Sequence, residues 1–433
     1  MSLVPKVVHR RCSSVAPPGK LILCHLLCQL SPPLGATWSG LRCKRPCQVL
    51  KPRGPLPSRL LLQTSQNTTT QTKATEMAPA SENEMDTARK NQQARHWLVT
   101  SPRTASNLLI KMLNLDEQGV RPSHQGGYFF KPSVFVRFPL LFHDGPIDSW
   151  AQEDRVAVAK VMQSCLETLQ DHLEASEAAG NTIFVKEHAM FVSNPSIESH
   201  FLHPDHPPEW RSPVLEARGM ASQTRSALNI TALPDEFLHT WTPTFLIRHP
   251  ALMLSSYYRT CLDHMKMAAA AAAAAPTAAT GPPKRKKGEP TDLEMSMKWI
   301  RTLYDFYADY FSREGKAGPV VLDADDIMKH PTQLVPRYAS LVGMDPAKVR
   351  LSWERPSEAS VKCLLPNERR MLSTILASSG IDASKAAGDI DIEQEAVKWK
   401  EEFGEERARK LAAWVRAAMP DYEFLRARRM RAE

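Results

Sequence analysis

His96-Trp97-Leu98-Val99-Thr100 is a short apolar run. It is followed by Ser101-Pro102-Arg103-Thr104-Ala105-Ser106-Asn107 and then by Leu108, Leu109, Met112 and Leu113 at helical spacing. The stretch reads as strand, polar turn, helix. A strand that passes through a tight turn directly into a helix aims free backbone N–H groups and the positive helix end at one point, which attracts phosphate. Arg103 adds a full positive charge, and Thr104, Ser106 and Asn107 add side-chain donors. The pattern G-x-x-x-x-G-K-[ST] is absent, because this turn holds neither Gly nor Lys. That absence weighs against ATP or GTP hydrolysis.

Working outward, further apolar runs at Thr182-Ile183-Phe184-Val185, Thr244-Phe245-Leu246-Ile247 and Pro319-Val320-Val321-Leu322 read as buried strands of a parallel sheet. Helical patterns over Asp154 to Glu177 and Leu293 to Phe311 separate them, so the class is α/β. The stretch from Asp391 to Arg429 reads as amphipathic helix. Ala268 to Ala275 is an alanine run followed by Pro and Gly and by Lys284-Arg285-Lys286-Lys287. We read 268–290 as a low-complexity insertion, a frayed helix leading into a solvated loop, with a nuclear-import or anion patch as the alternative.

Lys plus Arg exceeds Asp plus Glu by 55 − 47 = 8 over 433 residues. No Asp or Glu precedes Glu76, so the excess lies in the first 76 residues and the remainder is close to neutral. Nucleic-acid binding by the folded part loses its motive, and no nucleic-acid partner is expected. Residues 1–93 read as a disordered basic extension and linker, and 94–433 as the folded domain. A chain started at Met77 would lose only disorder. The extension is a poor signal peptide and a somewhat better organelle-targeting one, so the expected location is cytoplasmic, with mitochondrial targeting as the alternative. Five of eight cysteines, Cys12, Cys24, Cys28, Cys43 and Cys47, fall in it. They form no disulfide framework and are read as unstructured thiols rather than zinc ligands. No apolar run reaches the roughly 18 to 20 residues that span a bilayer.

Arg248 follows the third strand, and Ser256 lies eight residues on, before Tyr257-Tyr258. A guanidinium at a strand tip and a hydroxyl on the next helix can converge on one phosphate. Val185-Lys186-Glu187-His188 ends the second strand, at the edge where open α/β sheets place ligands. The three segments, in their order along the chain, resemble the sulfotransferase family. Ser-Pro-Arg-Thr-Ala-Ser is similar to its 5′-phosphosulfate loop, with Ala105 where Gly is usual. Phe245 to Tyr258 is similar to its 3′-phosphate segment, and Lys186-x-His188 to the segment carrying its base. Val320 to Pro331, with Asp325-Asp326 and a helix ending at Gly343, resembles a late family element. We read those aspartates as capping or loop-fixing groups.

The resemblance implies a three-layer P-loop fold, a central parallel sheet flanked by helices. It also implies 3′-phosphoadenosine-5′-phosphosulfate as co-substrate, with no metal. Arg103, Thr104, Ala105, Ser106, Asn107, Arg248 and Ser256 would bind it, and His188, Arg103 and Lys186 would be catalytic. Sulfuryl transfer to a hydroxyl or amine of a small-molecule acceptor follows, the segments Gln125 to Trp150 and His200 to Ser226 walling the acceptor pocket. A basic residue between Ser384 and Lys400 is expected to close over the 3′ end. The rivals are a small-molecule kinase or other P-loop NTPase and a non-catalytic nucleotide-binding protein of the same fold.

Overall fold

A computed structural model of the chain describes residues 93–274 and 289–432. The readings of the basic extension, its targeting and its thiols, and of Lys284 to Lys287, lie outside the described residues. The main elements are β1 (Arg95–Thr100), α1 (Ser106–Leu113), α2 (Lys131–His143), α3 (Gln152–Ala178), β2 (Ile183–His188), α4 (Pro195–Leu202), β3 (Trp241–Ile247) and α5 (Pro250–Ala274). They continue with α6 (Lys298–Arg313), β4 (Val320–Asp323), α7 (Ala324–Lys329), α8 (Pro331–Leu341), α9 (Pro366–Ala377), α10 (Ile392–Phe403) and α11 (Glu405–Ala427). Among the described residues no helix is long and apolar enough to cross a membrane.

The four strands form one parallel sheet in the order β2-β1-β3-β4. Successive side chains point to opposite faces. Trp97, Val99, Ile183, Val185, Phe245, Ile247 and Val321 join the larger apolar core, which α3, α6 and α11 cover. Leu98, Phe184, Leu246 and Leu322 join a second core under α1, α7 and α8. Burial on both faces is why these strands read as unbroken apolar runs rather than alternating ones. The result is the α/β three-layer arrangement, helices on each side of a central sheet.

Helix α3 buries Val158, Met162, Leu166, Leu169 and Leu173, one face at helical spacing. Helix α6 starts at Lys298, five residues later than the apolar pattern from Leu293 suggests. The carboxylate of Glu294 accepts from the backbone N–H of Thr291 at 2.8 Å and from its hydroxyl at 3.2 Å, so a side-chain-closed turn occupies this stretch. Leu293, Met295 and Met297 are buried all the same, which is what gave the stretch a helix-like pattern.

A buried ion pair holds the chain just after β2. Arg137 on α2 meets Glu198 on α4 at 2.8 Å, both side chains fully buried. The same guanidinium donates to the carbonyl oxygens of Met190 (2.7 Å) and Phe191 (3.2 Å). Removing one partner of such a pair costs about 3–5 kcal/mol, so the turn next to His188 is firmly held.

The capping role expected of Asp325 and Asp326 falls to Asp323, whose carboxylate accepts from the Asp325 N–H at 2.9 Å. Asp325 does fix a loop, accepting from the Ala387 N–H at 2.9 Å. Asp326 pairs with Arg429 at 2.5 Å and ties down the C-terminus.

Candidate functional site

Because β1, β2 and β3 are parallel, Thr100, His188 and Ile247 end at one edge of the sheet, and the turn after β1 and the start of α5 meet there. The turn takes an unusual backbone path. Arg103 (φ 68) and Ala105 (φ 59) are both left-handed, and Ala105 is the N-cap of α1. A methyl-bearing residue in this conformation carries roughly 1–2 kcal/mol of strain, which explains why glycine suits the position. The carbonyl oxygen of Ala105 accepts from the N–H groups of Leu108 (2.9 Å) and Leu109 (3.2 Å), so the helix begins in the turn itself.

The two phosphate-directed segments touch. Arg103 Nε donates to Ser256 Oγ at 3.0 Å, and Arg248 donates to the carbonyl oxygen of Arg103 at 3.4 Å. Arg103 also donates to the carbonyl oxygen of Met371 on α9 (2.7 Å), and Arg248 to that of Lys385 (2.7 Å). Arg103 has no carboxylate partner among the described residues, and burial beside Arg370 and Arg248 pushes its guanidinium down to about 10. Arg248 Nε is buried without a hydrogen bond, its nearest carboxylate oxygen on Asp325 being 3.9 Å away. At that separation the contact is a loose ion pair, too long for a hydrogen bond.

The remaining turn residues divide their roles. Thr104 Oγ1 donates to the Ser101 carbonyl oxygen at 2.9 Å, inside the turn. Ser106 lies beside the Tyr128 phenol. Asn107 Oδ1 accepts from Lys186 Nζ at 2.7 Å, so it aims the ammonium group while its own amide N–H groups stay donors.

Register places Leu98 opposite Lys186 and Thr100 opposite His188, and these side chains share the α1 face of the sheet. Burial lowers the Lys186 ammonium to about 7, and the Tyr128 ring lies 4.3 Å from it. His188 is buried, and desolvation beside Lys186 holds its imidazole well below the ordinary range, hence neutral. Tyr128 and Phe191 flank that ring with centroids at 4.6 and 4.8 Å. Glu187 faces the other side of the sheet, accepts from the N–H of Phe130 at 2.8 Å, and is pushed up to about 8 by burial.

The residues singled out in the sequence as candidate site groups therefore meet at one edge. Several participants carried no such signal. Tyr128 is brought in by Gly126 and Gly127, both at positive φ; a Cβ on Gly127 would lie 3.3 Å from the Lys186 carbonyl oxygen. That glycine pair before an aromatic was the one available hint. Of the segment between Ser384 and Lys400, the Lys385 ammonium pairs with Asp382 (3.5 Å), Lys398 with Glu395 (2.6 Å) and Lys400 with Glu405. The cations beside Arg103 are Arg248 and Arg370, the latter from the less buried helix α9. Of the two segments expected to wall the acceptor pocket, the first reaches His188 through Tyr128. The second bonds to α3 and α4, through Gln163, Gln170 and Ser196.

No family model matches the chain. A protein of Metarhizium rileyi named sulfotransferase ppzF is 39% identical over 360 residues, 80% of this chain and 99% of the relative. The protein of that name from Metarhizium majus is 38% identical over 362 residues, again 80% and 99%. Among solved structures, the sulfotransferase domain of the Synechococcus PCC 7002 olefin synthase is 14% identical over 73% of this chain and 97% of that domain. Its TM-score is 0.31, too loose an overlap to weigh on the fold or the site. Identity of this order along the whole length of both relatives settles the family: the chain is a sulfotransferase.

Proposed function

We propose that the chain moves a sulfuryl group from 3′-phosphoadenosine-5′-phosphosulfate to a hydroxyl or amine of a small-molecule acceptor. The observation that carries this reading is the joining of Arg103, Ser256 and Arg248 at one strand edge, cations gathered with too few carboxylates to neutralise them. Burying guanidinium groups in this way is unfavourable unless an anion completes the site. The orphaned Arg248 Nε supports an anion of that kind. The donor supplies a sulfuryl group already bonded to a good leaving group.

This chain's residues account for the rest. His188 takes the proton of the acceptor hydroxyl at its free Nε2 as the new O–S bond forms. The S–O bond to the departing phosphate breaks, and Arg103 with Lys186 stabilises the charge left on that oxygen. Arg248 and Ser256 hold the far phosphate of the nucleotide. Positioning and fixed positive charge carry such a transfer, as they do for phosphoryl groups.

Titration calorimetry with 3′-phosphoadenosine-5′-phosphate against ATP tests the donor. Tighter binding of the 3′-phosphorylated nucleotide is expected, and preference for ATP would overturn the proposed donor.

A further inference from the structure

The hydroxyl of Thr100, fully buried at the tip of β1, lies 2.6 Å from His188 Nδ1 and 3.2 Å from the carbonyl oxygen of Glu187. A threonine hydroxyl has one proton and two lone pairs. If the proton went to Nδ1, Oγ1 would be left facing the Glu187 carbonyl oxygen as a second bare acceptor in a buried place, which is unfavourable. If it goes to the carbonyl oxygen, Oγ1 accepts from Nδ1–H and both contacts are hydrogen bonds. The second arrangement satisfies every atom of the three.

We propose that Thr100 is a positioning residue that holds the imidazole of His188 in its Nδ1–H tautomer, leaving the Nε2 lone pair free to take the acceptor's proton. This deepens the reading given above and rests on His188 being the base. No described residue engages Nε2 in a hydrogen bond. Tyr128 and Phe191 pack against the ring and oppose its rotation. The other ring nitrogen would carry a proton in the wrong tautomer and could not accept one, the same reason that tautomer control matters wherever histidine acts as a base. The pairing arises from strand register, since Thr100 and His188 are directly opposite neighbours on β1 and β2.

The test is nitrogen NMR of the full-length protein with labelled histidine, His188 being assigned by its disappearance in His188→Gln. Nδ1–H with a bare Nε2 is expected in the wild type, and a shift toward Nε2–H in Thr100→Val. In the same variant kcat falls by about tenfold or more, as a partial loss of the ~10²–10⁴-fold that a positioned acid–base group contributes, while the KM for the donor is unchanged. Thr100→Ser keeps the hydroxyl and restores both signals. Thermal unfolding of all variants separates positioning from loss of fold. A wild-type Nε2–H tautomer, or Thr100→Val with unaltered kcat, overturns the proposal. Turnover retained in His188→Ala instead removes the base reading, and the tautomer measurement distinguishes the two failures.

Discussion

Arg103 and Ser256, 153 residues apart in sequence, are joined by a hydrogen bond of 3.0 Å from the guanidinium Nε to the hydroxyl oxygen. The turn after β1 and the helix after β3 therefore form a single surface, and a change in one is felt by the other.

Removing Arg248 tests the far end of that surface. A hydrogen bond to a charged group is worth about 1.5–3 kcal/mol. Arg248→Met should therefore raise the Kd for 3′-phosphoadenosine-5′-phosphate about 10- to 100-fold by calorimetry. Arg103→Met is expected to weaken nucleotide binding and in addition to lower kcat, by roughly 10²–10³-fold, because the negative charge its guanidinium meets grows on the departing oxygen in the transition state. An Arg248→Met variant that binds as the wild type does would place the far phosphate elsewhere.

His188→Ala should lose transfer while calorimetric binding of 3′-phosphoadenosine-5′-phosphate stays at its wild-type value. Burial keeps the imidazole neutral well below its ordinary titration range, so the acid limb of kcat should lie below pH 6.5. Full activity in the variant would take His188 out of the chemistry.

Lys186 gives donor binding a pH dependence with a definite sign. Its ammonium, lowered to about 7 by burial, is charged below that pH and neutral above it in the free protein. A bound anion favours the charged form, so binding above about pH 7 takes up a proton and weakens as pH rises. Glu187, which loses its own proton near 8, adds in the same direction. Lys186→Met should bind more weakly at pH 6 and show a flatter profile from pH 6 to 9. Calorimetry in buffers of different ionisation enthalpy reads the proton uptake directly, and its absence in the wild type would refute the assignment.

Ala105 is held at φ 59, where glycine has no strain. Ala105→Gly removes roughly 1–2 kcal/mol of backbone strain and loses about 0.4–1 kcal/mol through a more flexible unfolded chain. The net gain in denaturant stability should lie between about 0 and 1.6 kcal/mol, with Ala105→Val instead losing stability. A destabilised Ala105→Gly would mean that the methyl group, which packs against the second core, matters more than the strain.

The α/β class, the four strands and the placement of Arg103, Lys186, His188, Arg248 and Ser256 at or just beyond strand ends were legible because each rests on local sequence. An apolar run of four or five residues, a polar turn and a following helix are properties of adjacent positions. The late start of α6 was not legible, since a side chain closing a turn at Thr291 and a helix can bury the same apolar residues. Nor was the hydrogen bond of the Thr104 hydroxyl inside its own turn, which depends on backbone angles that no composition reveals.

By itself, the sequence determined which segments become strands and which charged and hydroxyl groups stand at their ends, because hydrophobic periodicity acts over a few residues. Only the tertiary structure decided what those groups meet. Thr100 reaches His188 through the register of two strands 88 residues apart, and Met371 and Lys385 reach the two arginines through packing of a segment over the sheet edge. Register and packing are set by how whole faces fit together, and that sum over distant contacts is not written in any one stretch of the chain.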